Sequence, residues 1–108
     1  MPKDYRLSLG DIVQRIIERF GPEKIILFGS AARGTATFDS DIDLMVVMPV
    51  EGSSRQKANE IDLALADRSI PLDLVVVTPE QYERQKRLFG TIVRQAEREG
   101  KVVYERAA

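Results

Sequence analysis

The sequence predicts an α/β or α+β fold in which helices cover a small β-sheet, and three observations support this prediction. Three short apolar runs are rich in β-branched residues, as buried strands are: 24–28, 41–48 and 72–77. The segments around these runs carry apolar residues at helical spacing. The chain has 108 residues, the size of one small domain with one core, so we expect residues 1–108 to form a single domain.

The first third of the chain predicts one helix, one strand and a tight turn. Ser8 and Asp11 indicate a helix start, because their side-chain oxygens suit the free N–H groups of a first turn. An apolar stripe from Ile12 to Phe20 follows at helical spacing, and Gly21-Pro22 ends the helix. The segments predicted next are a strand at 24–28, a turn at 29–30, a short helical turn at 31–33 and a loop at 34–40.

The rest of the chain alternates strands with helices. Pro49 ends the second strand, and Thr78-Pro79 with Gln81 is a strong helix start. Gly90 interrupts that helix and Gly100 ends the next one. The predicted segments are a helix at 54–67, a strand at 72–77, helices from 78 to about 89 and at 91–99, and a short closing strand at 102–104.

Composition excludes several classes of chemistry. The chain has no Cys and no His, which excludes disulfides, thiolate-held zinc or iron–sulfur clusters, and histidine bases. No apolar run has membrane-spanning length and no signal peptide is evident, so the cytoplasm is the simplest predicted location. The net charge of −1 gives no general basic field, so nucleic acid binding is not indicated, although Lys and Arg residues in the last third leave a local basic face open.

Three Asp residues stand where strand residues should be apolar. Asp41 and Asp43 are two apart, so on a strand both side chains leave the same face. Two half-buried anions repel each other and lose solvation, which a bound divalent cation would compensate. An all-oxygen ligand set indicates Mg²⁺ or Mn²⁺. Asp73 repeats the anomaly in the third strand, and the three carboxylates converge if that strand lies beside the second.

The turn at Gly29-Ser30 has the features of a phosphate site. Gly lets a backbone approach a ligand, and Ser supplies a hydroxyl and an N–H at a helix start. Arg33 lies one helical turn later, where it could add a charge-assisted contact. Metal carboxylates beside a phosphate turn indicate phosphoryl or nucleotidyl transfer.

Three alternative motifs fail on individual residues. An EF-hand loop that begins at Asp39 would need Gly and Glu where Leu44 and Val50 stand. A Walker A loop that begins at Gly29 would need Lys where Thr35 stands. A serine nucleophile at Ser30 has no His partner.

The pattern Gly29-Ser30, ten intervening residues and Asp41-Ile42-Asp43 resembles the DNA polymerase β-type nucleotidyltransferase superfamily, and within it the minimal nucleotidyltransferase family. The resemblance covers nearly the whole chain. It implies a mixed sheet flanked by helices, a nucleoside triphosphate and two Mg²⁺ ions in the cleft. Gly29 and Ser30 match the triphosphate-binding residues, Asp41 and Asp43 the metal ligands, and Asp73 the third carboxylate, which can also act as base. Members often carry Arg where this chain has Ala31, so one phosphate or partner contact differs.

The resemblance also implies a partner. Minimal nucleotidyltransferases often pair with a HEPN-domain protein as a toxin–antitoxin system, in which some antitoxins resemble enzymes that adenylylate a tyrosine of the toxin. The first hypothesis is therefore a Mg²⁺-dependent enzyme that transfers AMP from ATP to a hydroxyl of a HEPN-type partner. The alternative is an antitoxin that neutralises such a partner by contact, without catalysis. The sequence leaves open the preferred nucleotide, the acceptor hydroxyl and whether the chain forms a homo-oligomer.

Overall fold

The fold is a four-stranded sheet with helices on both faces. The computed structural model describes residues 8–34 and 41–107. The predicted loop at 34–40 therefore lies outside the described residues, except for Gly34. The elements are α1 (Leu9–Phe20), β1 (Lys24–Phe28), α2 (Ser30–Arg33), β2 (Ile42–Val47), α3 (Ser54–Ala64), β3 (Leu72–Val77), α4 (Pro79–Gln85), α5 (Ile92–Glu99) and β4 (Lys101–Glu105).

The sheet is mixed, in the order β3-β2-β1-β4. Strand β1 runs antiparallel to both β2 and β4, whereas β2 and β3 are parallel. The third strand therefore lies beside the second, the arrangement in which Asp73 can join Asp41 and Asp43. The register places Asp43 opposite Phe28 on one side and opposite Asp73 on the other.

Each face of the sheet carries its own apolar core. Alternate side chains of a strand point to opposite faces, so Leu44 and Val46 lie on one face and Met45 and Val47 on the other. The first core packs against α1 and α3 and comprises Ile12, Ile16, Ile25, Leu44, Val46, Met48, Ile61, Leu65 and Val76. The second packs against α4 and α5 and comprises Ile26, Phe28, Met45, Val47, Val77, Tyr82, Val93 and Ala96. By the same alternation, the Asp43 side chain lies on the second face of the sheet, outside the apolar core of that face.

The predicted helix starts are confirmed in detail. Ser8 and Asp11 form a reciprocal capping box, and Gly21 ends α1 in the left-handed conformation with φ of 58°. Thr78 and Gln81 form a second capping box with Pro79 in the first turn of α4. None of the helices in the described ranges has the length and hydropathy of a membrane span.

Several element ends differ from the sequence prediction. Helix α3 ends at Ala64 rather than at 67, because Arg68 donates hydrogen bonds to the carbonyls of Leu65 and Ile70 and so holds a turn there. Helix α4 ends at Gln85 rather than near residue 89, because the Thr91 hydroxyl donates hydrogen bonds to the carbonyls of Gln85 and Leu88. Strand β2 is one residue shorter at each end than the predicted 41–48, and β4 is longer than predicted, spanning Lys101–Glu105.

Candidate functional site

The predicted site residues meet at one edge of the sheet. Strand β1 ends at Phe28, next to Gly29 and Ser30, and its antiparallel pairing sets this end beside the start of β2. Because β3 is parallel to β2, its first residues reach the same edge, where Asp73 stands opposite Asp43. A hydrogen bond from the Ile42 N–H to the Pro71 carbonyl, 2.9 Å long, fixes the two strands at this point. The topology thus brings Gly29, Ser30, Asp41, Asp43 and Asp73 together.

Gly29 is packed directly against Asp43. Its backbone has φ of 73° and ψ of −152°, a conformation that is open essentially only to glycine. A Cβ atom added at Gly29 would overlap the Asp43 carboxylate. The sequence predicted a glycine here for close approach to a ligand; the structure shows that it also makes room for an acidic side chain on the neighbouring strand.

Asp43 is the electrostatic centre of the cluster. Partial burial raises the pKa of its carboxyl above the ordinary value, and the negative charges of Asp73 and Asp41 raise it further. The Arg33 guanidinium acts in the opposite direction and lowers the pKa of Asp43. Asp41 and Asp73 are themselves exposed to solvent. The three carboxylates therefore interact as one anionic group, with Arg33 as the nearby cation.

The donor chemistry of this group fits a hard divalent cation. Carboxylate oxygens are the ligands that Mg²⁺ and Mn²⁺ prefer, and mutual repulsion of the three groups would be relieved by a bound cation. In the described part of the chain, no three acidic side chains converge closely enough to form a closed ligand set. The residue types and their electrostatic coupling suit the metal, whereas the side-chain arrangement is open.

Ser30 and Arg33 bracket the short helix α2, which begins immediately after Gly29. Ser30 is the first residue of this helix and is half-buried. The backbone N–H of Arg33 donates a hydrogen bond of 3.1 Å to the Gly29 carbonyl. The turn therefore holds Gly29 and presents the start of a helix at the same edge as the carboxylates, which is the arrangement expected of an anion site. The exposed Arg33 lies close enough to Asp43 to affect its pKa.

Arg68, which the sequence analysis did not identify, supports the segment that leads into the strand of Asp73. Arg68 donates to the carbonyls of Leu65 and Ile70 and forms an ion pair with Asp62 at 2.9 Å. These contacts hold the segment between α3 and β3 in place. They thereby position the Pro71 carbonyl, which accepts a hydrogen bond from the Ile42 N–H. No sequence signal marked this role, because an Arg after a helix is ordinarily a solvated residue.

Comparison with known families identifies the class. Residues 9–103 match the family model described as the nucleotidyltransferase domain. The match spans most of the chain, and the protein belongs to this family. None of the curated protein sequences matches the chain significantly.

Solved structures share the fold at low sequence identity. A Sulfolobus solfataricus protein described as a nucleotidyltransferase is 20% identical with a TM-score of 0.61, over 88% of this chain and 75% of its own. A toxin–antitoxin complex with AMP-PNP is 23% identical with a TM-score of 0.57, over 93% and 75%. A MntA–HpeT toxin–antitoxin variant with two Asp-to-Glu substitutions is 22% identical with a TM-score of 0.56, over 93% and 75%. The mixed sheet flanked by helices is thus the fold of these proteins.

Proposed function

We propose that the protein is a Mg²⁺-dependent nucleotidyltransferase that transfers AMP from ATP to a hydroxyl of a HEPN-type partner protein, as the antitoxin of a toxin–antitoxin pair. The observation that carries this proposal is the meeting of the Gly29-Ser30 turn with Asp41, Asp43 and Asp73 at one sheet edge. The proposal places the whole sequence, residues 1–108, in one nucleotidyltransferase domain that works in the cytoplasm.

In this proposal the turn binds the triphosphate. The open backbone at Gly29 lets phosphate oxygens approach, and Ser30 offers its hydroxyl and its N–H at the start of α2. Arg33 would add a charge-assisted contact, and its effect on the pKa of Asp43 supports this role, because it shows that the guanidinium lies near the cluster.

Asp41, Asp43 and Asp73 would hold Mg²⁺, one or two ions, with Mn²⁺ as an alternative. When bound, the metal would neutralise the triphosphate and favour in-line displacement at the α-phosphorus. The acceptor oxygen forms a bond to this phosphorus while the bond to the bridging oxygen breaks, and pyrophosphate leaves. Asp73 is exposed and lies at the register position of Asp43, so it can accept the hydroxyl proton as base.

Two structural neighbours support the antitoxin part of the proposal. One is a toxin–antitoxin complex with AMP-PNP, an analogue of ATP. The other carries its Asp-to-Glu substitutions at two positions that are two residues apart, the spacing of Asp41 and Asp43. A nucleotide and an Asp-x-Asp pair are therefore features of proteins that share this fold, and a toxin partner is the natural candidate for the acceptor.

One observation favours a second candidate, a non-catalytic antitoxin that acts by contact. The acidic side chains form no closed metal-ligand set within the described ranges, and two of the three are exposed to solvent. A protein of this kind would bind nucleotide weakly or for regulation, and would neutralise its partner by covering it.

Labelled ATP separates the two candidates. The protein is incubated with Mg²⁺, the product of the adjacent gene, and ATP labelled in the α-phosphate or, in parallel, in the γ-phosphate. Covalent label on the partner from the α-position alone is expected of the transferase. A tight complex without covalent label would replace it with the contact mechanism. Asp43→Asn should abolish labelling, while Glu51→Gln, an exposed carboxylate outside the site, should not.

A further inference from the structure

An exposed apolar patch lies on the connection between α4 and α5. Phe89 is 88% exposed, Leu88 50% and Ile92 43%. Phe89 and Ile92 line one groove, and Leu88 directly precedes Phe89; we call these three residues the Phe89 patch. A domain of this size gains stability by burying such side chains, so their joint exposure indicates a surface that another molecule covers.

The loop that carries the patch is held in place. The Thr91 hydroxyl donates to the carbonyls of Gln85 and Leu88, at 2.9 and 3.0 Å, and accepts from the Arg94 N–H at 3.1 Å. Gly90 supplies a backbone with φ of 82°. The Arg94 guanidinium lies 4.2 Å from the centre of the Phe89 ring. Phe89 is therefore presented outward by an ordered loop, which reduces the entropy lost when a partner binds it.

Cations outnumber anions around the patch. Between residues 84 and 98 the chain has five Lys or Arg and a single acidic residue, Glu97. Arg84, Arg87 and Arg98 are exposed. A groove of about 450 Å³ beside Phe89 and Ile92 is lined by two cations, Arg94 and Arg98, and one carboxylate, Glu99. A basic rim around an apolar centre is complementary to an apolar pocket bordered by carboxylates.

We propose that the Phe89 patch is the docking surface for the protein partner, and that the partner presents an apolar pocket bordered by Asp and Glu. This inference rests on the partner named in the proposed function. Aliphatic Leu88 and Ile92 beside Phe89 favour a protein surface over nucleic acid, because bases stack on aromatic rings and gain little from aliphatic side chains. Phe and Arg are also enriched in protein interfaces relative to the rest of the protein surface.

The position of the patch suits an acceptor that must reach the nucleotide site. Helix α5 spans about 12 Å, and its C-terminal cap, Gly100, packs against Ile26 and the Leu27 carbonyl. Leu27 is two residues before Gly29, so a partner seated on the patch lies one short helix away from the turn.

The test measures the affinity of purified protein for the purified product of the adjacent gene, by calorimetry, in four variants. Phe89→Asp should weaken binding at least tenfold and Arg98→Glu severalfold. The matched controls are Leu63→Asp, which changes a residue 75% exposed on α3, and Arg55→Glu, an exposed cation of the same helix. Both controls should bind like the wild type, and all four variants should keep the far-ultraviolet circular dichroism of the wild type.

Four other results would each contradict the assignment of the Phe89 patch as the docking surface for the protein partner. Wild-type affinity in Phe89→Asp would remove the patch from the interface and leave the proposed function intact. Failure of the wild type to bind the adjacent gene product would remove both the partner and the patch assignment. Loss of the complex on ribonuclease treatment would indicate that the surface binds nucleic acid. Self-association that Phe89→Asp abolishes would indicate that it binds a second copy of the chain.

Discussion

Replacing Gly29 with Ala should damage both the fold and the acidic cluster. The conformation of Gly29, with φ of 73° and ψ of −152°, costs a residue with a side chain about 1 to 3 kcal/mol. The added Cβ would also overlap the Asp43 carboxylate, which must rotate away. An off-rotamer Asp adds about 0.5 to 1.5 kcal/mol, so the free energy of unfolding should fall by about 1.5 to 4.5 kcal/mol.

Gly34→Ala is the matched control. Gly34 also has a positive φ, 75°, but it is in the left-handed helical region and a Cβ there meets nothing within 4 Å. We expect it to lose only about 1 kcal/mol. Urea unfolding followed by circular dichroism gives both values, and metal titration should show weakened Mn²⁺ binding in Gly29→Ala alone. If the two variants lost equal stability and bound Mn²⁺ equally, the packing of Gly29 against Asp43 would have no energetic role.

Three further predictions concern the turn, the cluster and its support. Ser30→Ala should weaken ATP binding by about 1 to 3 kcal/mol, the range of a hydrogen bond to a charged group, and unchanged calorimetric affinity would contradict this. Asp43→Asn should leave the free energy of unfolding at pH 7 unchanged or raised. The pKa of Asp43 is raised in the folded state, so its negative charge destabilises the folded state at pH values above that pKa. The difference in stability from the wild type should therefore vanish as the pH falls towards 3.8, the ordinary pKa of Asp. Arg68→Ala should lower the free energy of unfolding by about 1 to 2 kcal/mol through lost hydrogen bonds, whereas Arg55→Ala should have little effect in the same urea titration.

Local signals in the sequence predicted most of the element starts correctly. Ser8 with Asp11 and Thr78 with Gln81 act within one helical turn, so their hydrogen bonds depend on residues that are adjacent in the chain. The apolar runs likewise predicted three strands because buried strands need continuous apolar side chains. Helix ends were less predictable: α4 stops at Gln85 because Thr91, six residues later, bonds its carbonyl.

The candidate site was predictable as a set of residues but not as a geometry. Asp41, Asp43 and Asp73 stood out because each is an anion in or beside an apolar run. Asp73 also predicted that β3 lies beside β2, but the parallel direction and the register that set Asp73 opposite Asp43 are specified by no local pattern. The contact of Gly29 with Asp43 also depends on strand register, and the sequence therefore suggested only a ligand as the reason for the glycine.

The most direct test of the central claim is an anomalous difference map from crystals grown with Mn²⁺ and a non-hydrolysable ATP analogue. The account predicts a Mn²⁺ peak among the carboxylates of Asp41, Asp43 and Asp73, with the triphosphate against Gly29 and Ser30. The opposite end of the sheet has a cavity of about 470 Å³ lined by Lys24, Tyr82 and Glu105, which provides an alternative location. An ordered nucleotide in that cavity, with no Mn²⁺ peak at the three Asp residues, would contradict the account.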